Sequence, residues 1–195
     1  MYINVVPFFN AGNVHKWLRS TFSKDDSYGE IDDILSKRTP RSNGVLFLPY
    51  LVGERFPVVD DNIRGAYYGI TPNTSKIDLV SSALEGVGYS LRQGIEMIEK
   101  DLSKVTIIGG GGRVLEWNKI IADILAHPIE VYDDSEFIAG IALASLVFKD
   151  LNIIDDIKDF ASELSSVRNV EANLDNNYDE LYEKYIQLYP RLKGI

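Results

Sequence analysis

The chain has no cysteine among its 195 residues, and this absence excludes several kinds of chemistry. Disulfide bonds, thiolate nucleophiles and cysteine-ligated metals are all ruled out. Histidine is scarce as well, because only His15 and His127 occur and they lie far apart, so we expect no histidine-based metal site. The chain also lacks a G-x-S-x-G motif, and no serine triad is expected. These motifs therefore assign no catalytic residue and no metal ligand.

Basic residues are the minority, with 20 Lys and Arg against 29 Asp and Glu, which gives a net charge of −9. Nucleic acids and anionic membrane surfaces bind clusters of Lys and Arg, and the chain has no such run, so neither is expected as a partner. No uncharged segment reaches the roughly 20 residues that cross a bilayer. The apolar N-terminus lacks the basic region and cleavage site of a signal peptide. We therefore expect one globular domain in the cytoplasm.

The most informative motif consists of four consecutive glycines. An uncharged, β-branched segment precedes them and predicts a short buried strand, and apolar residues with helical spacing follow them. A turn between a strand and a helix directs free backbone N–H groups at a phosphate or nucleotide, and glycine has no Cβ atom to keep a ligand away. The candidate nucleotide-binding residues are Gly109, Gly110, Gly111 and Gly112.

Two interpretations of this glycine turn (residues 109–112) remain open. Arg113 follows the glycines where a P-loop needs Lys, and Val114 stands where a dinucleotide fingerprint needs a third glycine. The turn is therefore a nucleotide site of another kind, or a tight connection that binds nothing.

Hydrophobic periodicity predicts a layered α/β domain. The longest helix begins at a capping-box spacing between Ser75 and Asp78, and Gly86, Gly88 and Gly94 inside it indicate close packing of a neighbouring element. Strands are expected over residues 1–9, 45–48, 66–70, 105–108 and 129–132. Helices are expected over residues 11–22, 27–35, 75–98, 117–125, 138–148 and 178–188.

Two of these helices carry a further prediction. Small residues along the helix over 138–148 indicate tight contact with a sheet. The aromatic stripe of the last helix, at residues 178–188, indicates packing in the core rather than a surface on which bases stack.

A long polar loop contains Glu54, Arg55 and Asp60 between two predicted strands. Loops of this length often carry function. An equally good interpretation is a surface loop that an ion pair between Arg55 and an acidic residue holds in place.

Several segments resemble the C-terminal half of FGGY-family carbohydrate kinases. Residues 65–85 fit the family's second signature at every defined position. The glycine run with Arg113 and Trp117 resembles the family's Gly-Gly-Gly adenosine segment, and Ala11, Gly12 and Trp17 resemble its A-G-x-x-x-x-W element. The other matching segments are residues 47–57 (FLPYLVGERFP), Asp60, Asn62, residues 122–125 (ADIL) and the pentulose-kinase-like tail 185–193 (YIQLYPRLK).

The resemblance implies an actin/hexokinase-type ATPase fold with RNase-H-like domains, in which a mixed sheet is flanked by helices. It implies transfer of the ATP γ-phosphoryl group to a sugar hydroxyl with Mg²⁺, and it makes residues 1–195 most of the second, nucleotide-binding domain. The four glycines and Arg113 would face the nucleotide, with Gly12 and Lys16 near the phosphates or ribose. Glu54, Arg55 and Asp60 would lie near the interdomain cleft.

The family's sugar pocket and its aspartate general base belong to an N-terminal domain that this sequence does not contain. The first hairpin of the second domain, with its Gly-Thr phosphate turn, would also precede Met1. We therefore expect that the chain alone is inactive as a kinase. We also expect homo-oligomers, because losing that hairpin would expose a sheet edge along residues 1–9, and exposed edges pair.

Two of the matching segments bear on the substrate class. The glycine segment and the tail favour a xylulokinase-like enzyme acting on a pentulose, with gluconate or another polyol next. The apolar Val114 and Leu115, where many members have Ser or Asn, favour a different class, a non-catalytic actin-like domain that binds nucleotide or a partner. A purely structural fragment of a disrupted gene is a third alternative.

Overall fold

The structure, a computed structural model, describes residues 7–98, 102–158 and 166–194. Its α-helices are α1 (Gly12–Phe22), α2 (Tyr28–Leu35), α3 (Lys76–Ile98), α4 (Leu115–Leu125), α5 (Ile138–Asp150), α6 (Asp179–Tyr185) and α7 (Leu188–Leu192). Its strands are β1 (Leu46–Leu48), β2 (Ala66–Tyr68), β3 (Val105–Ile107), β4 (Ile129–Tyr132) and β5 (Val167–Val170). Short 3₁₀ helices occupy Pro40–Gly44, Gly110–Arg113 and Leu174–Asn176.

The strands form two small sheets. The first pairs β1 with β2 in antiparallel fashion. The second has the order β3-β4-β5, with β3 parallel and β5 antiparallel to the central β4, so this sheet is mixed as expected. The predicted α/β class is therefore confirmed. The strand predicted over residues 1–9 falls mostly outside the described residues, and its described end, residues 7–9, is not a strand, so that part of the prediction is wrong.

Helix α3 begins where its capping box predicts. The Ser75 backbone N–H donates to Asp78 Oδ2 at 2.8 Å, and the Asp78 N–H donates to Ser75 Oγ at 3.2 Å. These reciprocal bonds satisfy two N–H groups that a helix start leaves without intrahelical acceptors. The start of the longest helix is thus determined locally.

The glycines of α3 let other elements approach its axis, as predicted. A Cβ atom added to Gly86 would lie 2.2 Å from the backbone oxygen of Phe47 in β1. One added to Gly88 would lie 2.6 Å from Ile124 of α4, and one added to Gly94 would lie 2.5 Å from the Phe8 ring. Side chains at these positions would push β1 and α4 away from α3.

Helix α5 behaves differently, and the predicted tight contact with a sheet is wrong. Among the described residues, no atom would lie within 4 Å of a Cβ atom added to Gly140. Ala139 and Ala142 are exposed, as are Leu143 and Leu146. Small residues permit close approach, but they supply little apolar area to hold a neighbour in place.

The main core joins both ends of the chain. Trp17 of α1 stacks on Phe47 of β1 with ring centroids 5.6 Å apart, and Phe47 also packs on Tyr67 of β2. The C-terminal aromatic stripe packs in the core as predicted, through ring contacts with Tyr89 of α3. Its buried members are Tyr178, Leu181, Tyr182, Tyr185 and Leu188.

A fully buried carboxyl group, Glu85 of α3, organises the turn that precedes β1. Its Oε1 accepts hydrogen bonds from the Arg41 N–H and the Tyr178 hydroxyl, both at 3.0 Å, and its Oε2 accepts one from Ser42 Oγ at 2.7 Å. Arg41, Ser42 and Asn43 all have positive φ angles, of 68°, 42° and 50°. Non-glycine residues adopt this conformation at a cost, so the Glu85 bonds offset strain in the turn.

Burial raises the pKa of Glu85 from 4.5 to about 7, although its hydrogen-bond donors oppose this shift. The folded chain therefore holds this proton more tightly than the unfolded chain does. The protonated Glu85 therefore adds to the free energy of unfolding. This contribution is complete below about pH 4.5 and is lost as the pH rises through 7.

We predict that Glu85→Gln removes this pH dependence. The amide keeps an acceptor for Arg41 and Tyr178 and gains a donor for Ser42, without a charge to desolvate. The variant should match the native chain at pH 5 and exceed it by about 2 kcal/mol in free energy of unfolding at pH 8. Urea unfolding at both pH values measures this, with Glu96→Gln on the exposed part of α3 as the control. Parallel pH profiles for Glu85→Gln and the native chain would contradict the prediction.

Candidate functional site

The glycine turn connects β3 to α4, and its first residue is fixed by Ser135. Gly109 has a φ of 89°, a conformation that favours glycine. Its N–H donates to the Ser135 carbonyl at 2.7 Å, and its own carbonyl accepts from Ser135 Oγ at 3.0 Å. Gly109 therefore serves the shape of the turn.

The last glycine, Gly112, is buried and has a structural role as well. A Cβ atom there would lie 2.5 Å from Ser135 Oγ and 3.0 Å from Val131. Its carbonyl accepts hydrogen bonds from Asn118 Nδ2 at 2.8 Å and from Arg168 at 3.2 Å. Position 112 thus needs glycine because the space is occupied.

The two central glycines face open space. A Cβ atom on Gly110 would meet nothing within 4 Å, and one on Gly111 would meet only the Trp117 ring at 3.4 Å. Within residues 7–98, 102–158 and 166–194, neither backbone N–H donates a hydrogen bond to another group of the protein. These two residues therefore present unpaired N–H donors and open space together.

These glycines form one wall of a cleft of about 600 Å³. The opposite wall comes from α1 and α2, so the fold unites segments that are about a hundred residues apart. Of the predicted nucleotide residues, Gly12, Gly110, Gly111 and Arg113 line the cleft, whereas Gly109, Gly112 and Lys16 do not. Val114 and Trp117, which the sequence placed next to the glycines, also line the cleft, and the lining residues that the sequence did not point to are His15, Tyr28 and Asp32.

His15 is the most buried polar group among the missed residues, with only 7% of its surface exposed. Its ring packs between Tyr28 and Trp117, with centroids 4.7 Å and 5.5 Å away. Burial, with the charge of Arg19 as a second cause, lowers the pKa of His15 to about 4, so the imidazole is neutral at pH 7. Because Gly12 and His15 are three residues apart on α1, helical spacing alone could have placed both on one face.

Arg113 is the cation of the cleft. Its side chain is largely exposed, and its guanidinium forms an ion pair with Glu136 at 3.0 Å. Such an exposed pair is weak and exchanges readily with water or another anion. Arg113 is therefore available to an anionic ligand in the cleft.

The loop residues Glu54, Arg55 and Asp60 lie elsewhere and do not line this cleft. Backbone bonds of 2.9 Å in both directions join Glu54 to Asp60. Glu54 is buried and accepts from the Phe9 N–H at 2.9 Å and from Asn10 Nδ2 at 3.0 Å. Arg55 lies over the Phe9 ring, and no ion pair involves Arg55 in the described part of the chain. Carboxylates and backbone bonds, rather than an arginine pair, hold this loop.

Asp60 shapes the second half of the same loop. Its Oδ1 accepts from the N–H groups of Asn62 at 2.9 Å and Ile63 at 3.1 Å, and Tyr189 donates to its Oδ2 at 3.3 Å. The Asn62 hydrogen bond is the main reason that the pKa of Asp60 is lowered. Asp60 is thus a local anchor between the loop and helix α7.

No group of three or more acidic or histidine side chains that could hold a metal occurs among the described residues. In the same part of the chain, every helix is too short or too polar to cross a membrane.

The chain is similar to known proteins in both sequence and fold. A family model described as "FGGY family of carbohydrate kinases, C-terminal domain" matches residues 2–147. The xylulose kinase of Staphylococcus epidermidis is 32% identical over 182 residues, which cover 92% of this chain and 36% of that protein. The gluconokinase of Bacillus subtilis is 30% identical over 144 residues, which cover 67% of this chain and 28% of that protein.

Two solved structures have the same fold. The xylulose kinase from Lactobacillus acidophilus superposes with a TM-score of 0.79 at 24% identity, over 96% of this chain and 39% of that one. The Plasmodium falciparum glycerol kinase with ADP gives a TM-score of 0.77 at 23% identity, over 95% of this chain and 37% of that one. The expected actin/hexokinase-type fold is therefore confirmed. The chain spans between 28% and 39% of the length of these four proteins.

Gly112 is packed against Ser135 whereas Gly110 faces open space, so we predict that the two positions differ in how well they tolerate alanine. Gly112→Ala should lower the melting temperature by several degrees, because its methyl group displaces Ser135 and breaks the bond to Gly109. Gly110→Ala should leave the melting temperature almost unchanged, because its methyl group enters open space. Thermal unfolding of both variants by circular dichroism measures this. Equal melting temperatures for the two variants would show that the turn is not packed as described.

Proposed function

Since this chain belongs to the FGGY family of carbohydrate kinases, we propose that it is the nucleotide-binding part of an ATP-dependent sugar kinase. The observation that carries the proposal is the cleft itself. In it, Gly110 and Gly111 face Gly12 and the rings of His15 in α1 and Tyr28 in α2. The reaction would transfer the γ-phosphoryl group of ATP to a sugar hydroxyl. Similarity to xylulose kinases supports a pentulose as the acceptor, and similarity to a gluconokinase supports gluconate as the second choice.

The two sides of the cleft suit the two ends of a nucleotide. The unpaired N–H groups of Gly110 and Gly111, together with Arg113, offer donors and positive charge to phosphate or ribose oxygens. On the opposite wall, Tyr28 of α2 is 41% exposed and offers apolar ring surface to a base. A cleft of about 600 Å³ also has the size of an ordinary small-molecule site.

Lys16 and the loop residues lie outside the lining of the cleft. Lys16 lies on the exposed side of α1, and its flexible ammonium group is proposed to approach the phosphates. Glu54, Arg55 and Asp60 are proposed to form a loop at the boundary with the sugar-binding domain. The whole chain, residues 1–195, is proposed to be one domain, because its main core cluster contains residues from Val14 to Leu188.

Catalysis is proposed to need more than this chain. Phosphoryl transfer depends on positioning both substrates, and no residue here is assigned to the sugar or to proton abstraction. Mg²⁺ is proposed to arrive with the nucleotide, since it is commonly held by phosphates with one or two carboxylates. The chain alone is therefore proposed to bind nucleotide without turnover.

One observation favours a second function, a domain that binds nucleotide but takes no part in catalysis. Val114 lines the cleft with an apolar side chain, and Leu115 next to it is partly exposed. Neither residue offers a hydrogen bond to ribose or base from its side chain.

We predict saturable binding of Mg-ADP to the purified chain in isothermal titration calorimetry, and its loss in Gly111→Leu. The leucine side chain would fill the space beside Trp117 and displace a ligand from the glycine wall. Gly140→Leu is the matched control, because it adds the same side chain at an open position of α5. If folded native chain gives no heat with Mg-ADP, or if both variants bind equally, the proposed site is wrong.

A measurement of turnover distinguishes the two proposed functions, the nucleotide-binding part of a kinase and a domain that only binds nucleotide. Mixed with ATP and xylulose, the chain alone should form no ADP above background. Adding a separately expressed N-terminal domain of a xylulose kinase should produce ADP formation, and Gly111→Leu should abolish it. Turnover by the chain alone would overturn the proposed division of roles, and failure of the mixture with a binding-competent chain would favour the non-catalytic alternative.

A further inference from the structure

A carboxylate lies in the cleft that is proposed to bind an anion. Asp32 of α2 lines this cleft together with Gly110, Gly111 and Arg113. Two negative charges repel, more strongly in a sheltered cleft than in water. Asp32 is therefore a poor neighbour for phosphate oxygens, and it suits a part of the ligand that donates hydrogen bonds.

The side chain of Asp32 has no hydrogen-bond donor from the described residues. Its Oδ1 is buried without a partner. No described residue donates to its Oδ2 either, although the side chain as a whole is 44% exposed and lines the cleft. The nearest candidate is His15 Nε2 at 4.0 Å, which is too far for a hydrogen bond and is itself buried without a partner. A carboxylate accepts hydrogen bonds only, so what it lacks is a donor.

The surrounding charges do not supply that donor. His15 is kept neutral by burial between two aromatic rings, so it forms no strong ion pair with Asp32. Arg19 pairs with Asp26 at 2.9 Å and lies over the Tyr28 ring. Burial and the neighbouring Asp33 both raise the pKa of Asp32, as expected for a carboxylate without compensation.

We propose that Asp32 selects the nucleotide by accepting a hydrogen bond from a donor on the nucleoside, either the exocyclic amine of adenine or a ribose hydroxyl. The inference rests on the proposed nucleotide function of the cleft. It also fixes the direction of the ligand, with the phosphates toward the glycine turn and Arg113 and the nucleoside toward α2.

The test is a ratio of affinities in calorimetric titrations of the whole chain. Inosine diphosphate replaces the exocyclic amine with a carbonyl oxygen, and 2′-deoxy-ADP and 3′-deoxy-ADP each remove one hydroxyl. The native chain should bind Mg-ADP about tenfold or more tightly than whichever analogue lacks the donor that Asp32 accepts, as expected for a hydrogen bond to a charged acceptor. Asp32→Asn should reduce that ratio to near one when the analogue is inosine diphosphate, because an amide N–H₂ donates to the carbonyl oxygen. Asp32→Ala should reduce the ratio to near one for whichever of the three analogues the native chain binds more weakly than Mg-ADP.

The matched control is Asp33→Asn, which removes the same charge from the next residue of α2, an exposed position outside the cleft. It should leave all the ratios unchanged, and melting temperatures should show that each variant is folded. If both Asp32 variants bind every analogue with the native ratios, Asp32 does not read the nucleoside and the inference fails while the nucleotide site stands. If the native chain binds no Mg-ADP, the proposed function and this inference fail together.

Discussion

The hydrogen bonds of the buried Glu85 are the interaction on which the rest of the structure depends. They join three segments that are far apart in sequence: the left-handed turn at Arg41 and Ser42, helix α3, and the C-terminal Tyr178. Two helical turns earlier, Asp78 accepts a hydrogen bond from Asn43 and so holds the other end of the same turn. Strand β1 leaves this turn and runs along α3, so its position follows from these two carboxyl groups.

The cleft exists because α3 lets its neighbours come close. At Gly88 the side chain of Ile124 occupies the space that a Cβ atom would need, which brings α4 against α3. Helix α4 carries Trp117, and the glycine turn directly precedes α4. The close packing at Gly88 therefore determines where this wall of the cleft lies. Helices α1 and α2 pack on the same α3 and supply the other wall.

The cleft also explains how an acidic chain could hold an anionic ligand. The net charge of −9 would repel a nucleotide at long range, and screening by salt weakens that effect. At short range the ligand would meet backbone N–H groups, the guanidinium of Arg113 and a neutral His15. Asp32 gives the cleft a negative side, so the two ends of the site differ in charge.

The sequence by itself determined the features that depend on nearby residues. Each of these features depends on residues that are within about ten positions of one another: the capping box at Ser75, the glycine turn, and the helical and strand periodicities. The family signature at residues 65–85 indicated the fold. Only the tertiary structure decided which faces meet. It brought His15, Tyr28 and Asp32 to the glycine wall, placed Glu54 and Asp60 elsewhere, and left α5 exposed despite its small residues. The physical reason is that local patterns specify which face of an element is apolar, whereas the partner of that face depends on how distant elements fill the core together.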